Sequence, residues 1–169
     1  MNIIKEYSLE EVEMILKFSE KNIPPGKAYS GHTISRHVNI SNADMLRKEY
    51  QDYLTRFNRE NTRKLALFTW ATAFANQAEA VKTAHFLLNC PEGQRNLSHL
   101  QGDIGEVRDW WSNECPDIKI RFTSGEVVRT TTTNAAAIVV IPVSRYHIHI
   151  HTCFPILGDE PQAGLARKL

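Results

Sequence analysis

Apolar positions recur at helical spacing through the first half of the chain and at strand spacing through the second. Leu9, Val12, Ile15, Leu16 and Phe18 follow a capping-box pair, Ser8 and Glu11, and predict a first helix. It ends at Asn22 and the Ile-Pro-Pro-Gly break at 23 to 26. Ser41 or Asn42 is placed to cap a second helix, with Met45, Leu46, Tyr50, Tyr53, Leu54 and Phe57 along one side and Arg47, Lys48, Arg56 and Arg59 along the other. A third is predicted from about Asn76 to Asn89, with Ala78, Val81, Ala84 and Leu88 inward, stopping before Cys90-Pro91. A short fourth takes in Ile104, Val107, Trp110 and Trp111.

Beyond Pro116 the period changes. Ile118, Ile120 and Phe122 alternate with polar residues, and a Thr-Ser-Gly-Glu turn leads into the threonine- and valine-rich stretch 127 to 133, which predicts a hairpin. The apolar run Ala136 to Ile141 and the alternating segment Tyr146 to Phe154 predict a second antiparallel pair. Residues from about Gly158 read as a tail. The expected fold class is α+β, with helices packed on one face of an antiparallel sheet. No repeat or linker divides the chain, so 1 to 169 is read as one domain opened by a helix and loop over 1 to 25.

Composition narrows this picture only a little. A chain of 169 residues, 42% of them hydrophobic, can bury a sizeable core. Charge is nearly balanced, with 20 Lys and Arg against 19 Asp and Glu, so any nucleic-acid contact has to come from local basic clusters. Three cysteines, Cys90, Cys115 and Cys153, are too far apart for a redox CxxC or a zinc ribbon and imply no disulfide framework. No apolar run approaches the roughly 20 residues that span a bilayer, and the N-terminus lacks a secretory pattern. The expectation is a soluble polypeptide that makes no membrane contact and that a larger carrier delivers if it changes compartment.

Candidate chemistry concentrates at Gly31-His32-Thr33-Ile34-Ser35-Arg36-His37-Val38. Two imidazoles and a guanidinium lie within a short stretch of backbone. Histidine holds or releases a proton near neutrality, and a fixed cation neutralises charge growing on a phosphoryl oxygen. Positions five apart on a helix do not share a face, so His32 and His37 need not work as a pair. A second histidine-rich stretch, Tyr146 to Thr152, places His147, His149 and His151 on one face of a strand and Ile148, Ile150 and Thr152 on the other. Same-face neighbours stand about 7 Å apart, too far to converge on one zinc, and a solvent-facing polar side of an edge strand is the simpler reading. Only a bulge would bring Thr152 to the histidine face.

GHTISRHV, the Ala71-Thr72-Ala73-Phe74 segment ahead of an alanine-rich helix, and a terminal strand ending Ile150-His151-Thr152-Cys153-Phe154-Pro155 together resemble the bacterial ribonuclease A-like toxin domains. Such domains end contact-dependent growth inhibition proteins and other polymorphic toxins. The resemblance runs from about Gly31 to Pro155. It implies an RNase A-like fold without disulfides, RNA as substrate, action in the cytoplasm of a target bacterium after delivery, and a cognate immunity protein. It implies His37 as the catalytic histidine, with a cation from the next helix that maps to Lys48 with Arg47 adjacent. It also implies Thr152 on the terminal strand. Where the family tends to carry tyrosine this chain has Phe154, which keeps the ring and lacks the hydroxyl.

The chemistry assembles without metal or other cofactor. RNA brings its own nucleophile, the 2'-hydroxyl, so the enzyme supplies a base, a cation for the phosphorane and an acid for the leaving 5'-oxygen. His37 fits the base, and Lys48 or Arg47 the clamp. Thr152 fits the phosphate donor, and His32 or a strand histidine the acid. Arg36, Thr72 and Phe154 complete the expected substrate contacts. Each residue also has an ordinary role: His37 as a satisfied polar group, His32 as a loop anchor, the basic helix side as a solvated face. A non-catalytic RNA- or protein-binding module of the same fold and an immunity-type partner protein are the competing classes.

Overall fold

The computed structural model describes residues 5–47, 72–100, 103–124, 127–144 and 147–157. Lys48, Trp70 and the apolar positions Tyr50, Tyr53, Leu54 and Phe57 lie outside those residues, as does the tail from 158. Helix α1 (Leu9–Lys21) begins with the anticipated capping box: the Ser8 hydroxyl accepts from the Glu11 amide and the Glu11 carboxylate accepts from the Ser8 amide. Val12 and Leu16 are buried, while Leu9 and Phe18 point outward. The short helix α2 (Thr33–His37) follows, and Asn39, at φ 50°, turns the chain after it. Asparagine tolerates that left-handed conformation better than most side chains. Residues 42–47 are helical, and the Ser41 hydroxyl accepts from the Asp44 amide at 3.1 Å, which settles the cap on Ser41.

Helix α3 (Gln77–Asn89) is capped by Asn76 and buries Val81, Ala84, Leu87 and Leu88. Ala78, expected inward, is exposed. Cys90-Pro91 does end this helix, but Pro91 also starts the next, α4 (Pro91–Leu100). Proline suits the first helical position because an N–H there has no intrahelical partner. The anticipated helix over Ile104 to Trp111 does not form. Ile104 sits in a turn, and Trp110 and Trp111 belong to a strand, where bulky aromatic side chains fit the pleat and pair with a central neighbour.

Among the described residues the strands make two antiparallel sheets of three rather than the single sheet expected. In one, β1 (Thr72–Phe74) and β4 (Val127–Thr133) flank β3 (Ile118–Ser124), so the predicted hairpin forms. In the other, β2 (Arg108–Ser112) and β6 (His147–Ile156) flank β5 (Ala135–Ser144), so the second predicted pair forms too. Two threonine hydroxyls bind the sheets together at the end of β6: Thr72 donates to the Pro155 carbonyl at 2.9 Å and Thr133 to the Ile156 carbonyl at 2.7 Å. The main core gathers Val12, Leu16, Phe74, Leu87, Leu88, Ile120, Ile138 and Ile150 from α1, α3 and both sheets. Trp110 joins it and donates its indole N–H to the Leu87 carbonyl at 2.8 Å. All three cysteines are free. Burial, with Cys115 beside it, raises the Cys153 thiol far above its ordinary range, which keeps it protonated and inert.

Strand β6 lies at the end of its sheet's order, yet its outer edge is covered. The Ile150 amide donates to the Ser19 hydroxyl at 3.1 Å, the His32 amide donates to the His151 carbonyl at 2.9 Å, and the Cys153 amide donates to the Thr33 hydroxyl at 2.8 Å. Unpaired strand edges invite association, and here α1 and the start of α2 satisfy the edge instead. Gly31 is what lets the chain come this close. A Cβ there would stand 2.8 Å from the Ile150 carbonyl oxygen and 3.1 Å from that of Ser19.

Candidate active site

The covered edge of β6 carries GHTISRHV onto the terminal strand. Helix α2 has no side-chain cap of its own. The Glu20 carboxylate of α1 accepts from the Ile34 amide and, at 3.3 Å, from the Ser35 amide, which fixes the first turn of α2 against α1. His32 and His37 therefore leave the two ends of a held segment, and their rings stand 6.0 Å apart between centroids. Helical spacing gave the two no shared face, yet the structure brings their rings together. The helix is only 5 residues long with His32 before its first turn, so their approach comes from the turn into α2 rather than from one helical face.

His37 is 9% exposed and packs its ring against Phe154 with centroids 5.6 Å apart. Val38, the next residue, forms a parallel bridge to Phe74 of β1. The histidine of the first motif thus meets the aromatic of the third, beside the β1 segment that carries the second.

A bulge in β6 changes the reading of the strand histidines. Ile150 pairs with Val140 and Thr152 with Val139, so His151 is the extra residue. Because directly opposite residues share a face, His149 (opposite Ile141), Thr152 (opposite Val139) and Phe154 (opposite Ala137) now lie on one side. Strict alternation from Tyr146 to Phe154 fails at that point. His147 is exposed as anticipated, but His149 is only 2% exposed and His151 is half-buried, so the histidines are not a solvent-facing row. His149 Nε2 lies 3.4 Å from His151 Nδ1, and the His151 ring meets the His32 ring edge to face at 5.2 Å. The result is a continuous series of rings: His149, His151, His32, His37, Phe154.

The electrostatics keep the inner rings neutral. Burial, then the neighbouring His151, pushes His149 down to about 4. Burial, then Lys27, lowers His151. Among the described residues no group of three or more His, Cys, Asp or Glu side chains is disposed to hold a metal ion.

The other anticipated site residues differ in their surroundings. Thr152 is 0% exposed, and its hydroxyl has no hydrogen-bond partner among the described residues. Thr72 spends its hydroxyl proton on Pro155. Arg36 is exposed near the end of α2. Arg47 is exposed and paired with Asp44 at 3.5 Å. Lys48 falls outside the described residues, so the choice between it and Arg47 as clamp stays where the sequence left it.

Residues that the sequence did not single out are Lys27, Ser19 and Glu20, while His149 and His151, expected as a solvent-facing polar row or a source of the acid, are buried and half-buried respectively. Gly31 was the usable signal for Ser19, since a glycine beside a candidate site often marks a close backbone approach. Of the tryptophans, Trp110 is core, whereas Trp111 is 42% exposed and pairs with Ala137, which pairs in turn with Phe154. Trp111 and Phe154 thereby share a face of the sheet.

Among the described residues no helix is long and apolar enough to cross a membrane. No family model, curated protein or solved structure matches the chain.

Proposed function

We propose that this chain is a metal-independent endoribonuclease that cleaves RNA by attack of the 2'-hydroxyl on the adjacent phosphorus. The observation that carries the reading is the placement of His32 and His37 with ring centroids 6.0 Å apart. A base and an acid acting on one phosphate need ring nitrogens roughly 5 to 7 Å apart, two hydrogen bonds of about 2.8 Å joined through oxygens on one phosphorus. Rings at this separation can meet that need.

His37 takes the 2'-hydroxyl proton as the 2'-oxygen bonds to phosphorus. His32, charged, gives its proton to the 5'-oxygen as the bond from phosphorus to that oxygen breaks. The products are a 2',3'-cyclic phosphate and a 5'-hydroxyl, and proton exchange with water restores both rings. Phe154 packs against His37 and limits its rotation. The Thr152 hydroxyl, which has no hydrogen-bond partner among the described residues, is fully buried, so it would donate to a phosphoryl oxygen only if substrate binding opens the face it shares with Phe154. Arg36, and Arg47 or Lys48, supply cations to the growing charge, and Thr72 positions the end of β6.

An RNase A-like arrangement of this α+β fold, a role as a toxin in competition between bacteria, delivery by a larger carrier and a cognate immunity protein rest on the resemblance in GHTISRHV and the terminal strand. The test is incubation of purified protein with single-stranded RNA in EDTA, with analysis of the new ends. Cyclic phosphate ends support the reading; binding without cleavage favours a non-catalytic module. Growth arrest on expression in a bacterium lacking an immunity protein, relieved by His37→Ala, separates a toxin from a partner protein.

A further inference from the structure

We propose that His151 is a positioning residue for His32, braced from behind by the buried His149, so that a three-imidazole series keeps His32 protonated for its part in cleavage. The inference rests on the nuclease reading and extends it to residues outside the three motif positions. Three observations converge on it. The bulge frees His151 from cross-strand pairing and turns it toward the α2 segment. Its carbonyl accepts the His32 amide at 2.9 Å, and its ring meets the His32 ring edge to face, 5.2 Å away and 81° inclined. Backbone and side chain of one residue therefore both grip His32.

His149 supplies the brace. Its Nε2 lies 3.4 Å from His151 Nδ1, close enough for one ring to donate and the other to accept. In the arrangement proposed, His151 Nδ1 donates to Nε2 of the buried His149, which sets the His151 tautomer and leaves its Nε2 as an acceptor. A neutral ring offers protonated His32 a lone pair or a π face, and both favour the imidazolium. Among the described residues, the charged and titratable groups beside this series include His37, Lys27 from the loop after α1, and Glu20, whose carboxylate holds the first turn of α2. Lys27 opposes charge on His151, which keeps the proton on His32 rather than behind it.

Two readouts decide the matter. Proton NMR titration of the His32 ring in the whole protein should show its midpoint about one unit lower in His151→Ala than in wild type, with a smaller fall in the same direction in His149→Phe. His151→Gln, which retains an acceptor, should recover part of the shift. The alkaline limb of the pH profile for RNA cleavage should move to lower pH in parallel. Replacing the leaving 5'-oxygen of the same RNA with sulfur should remove most of the His151→Ala deficit, because a thiolate (thiol pKa about 8.5) departs without a proton.

A folded His151→Ala protein with an unmoved His32 midpoint overturns the proposal. So does a His151→Ala deficit rescued by sulfur when His32→Ala shows none, which would make His151 itself the acid. Absence of cleavage by wild type sinks the nuclease reading, while the titration still decides the coupling of His151 to His32.

Discussion

His151 accepts the backbone N–H of His32 at 2.9 Å and presents its ring to that residue's ring at 5.2 Å, so the last strand and the segment before α2 are joined at a pair of histidines. The contacts that close the edge of β6 are therefore also contacts that bring the histidines of the candidate site together. Disturbing the edge should disturb the site as well.

Thr33→Val and Ser19→Ala each remove the acceptor of a buried strand amide, Cys153 and Ile150 respectively. A buried donor left unpaired costs about 1 to 3 kcal/mol. Both variants should unfold at lower temperature, and amide exchange at Ile150 or Cys153 should speed up selectively. Gly31→Ala should be at least as harmful, because its methyl meets backbone rather than a flexible side chain. Wild-type melting of all three would mean that the edge is not held this way.

Acid should destabilise the protein through His149. Its folded value is near 4 against 6.5 for an unperturbed histidine, so the unfolded chain binds the extra proton between those two values. Stability is whole above about pH 6.5 and falls as pH drops toward 4, by at most about 3 kcal/mol from this group. The lowered His151 adds in the same direction. His149→Phe keeps a ring and removes the titration. Urea unfolding between about pH 7 and 4.5 should lose less stability in the variant than in wild type, and parallel losses would show that His149 is not held neutral.

Phe154→Tyr returns a hydroxyl to the ring that packs on His37. If that hydroxyl reaches a phosphoryl oxygen, cleavage should rise about tenfold, the effect of roughly 1.4 kcal/mol in the transition state. Phe154→Ala should lower cleavage by freeing the His37 ring. Equal rates in all three proteins would remove Phe154 from the site.

The regular elements were legible because their signals are local. The Ser8 and Glu11 cap, the Asn76 to Asn89 period and the two hairpins each announce themselves within a few residues. The failures came from context. Trp110 and Trp111 follow a helical period, but pairing with β5 decides their conformation. Pro91 reads as a stop, although it equally opens a helix.

Of the candidate site, His37 and Phe154 were readable as candidates from GHTISRHV and the terminal motif. The assembly of His32, His151 and His149 was not, because one inserted residue at the bulge rearranges every face downstream of it, and alternation carries no mark of that insertion.

The central claim is tested most directly by the single-turnover rate of RNA cleavage in EDTA by wild type and by His37→Ala, compared at matched melting temperature and circular dichroism. If His37 is the base, the variant should cleave about 10²- to 10⁴-fold more slowly while folding normally, and wild type should leave 2',3'-cyclic phosphate ends. A folded His37→Ala protein that cuts RNA at the wild-type rate would contradict it.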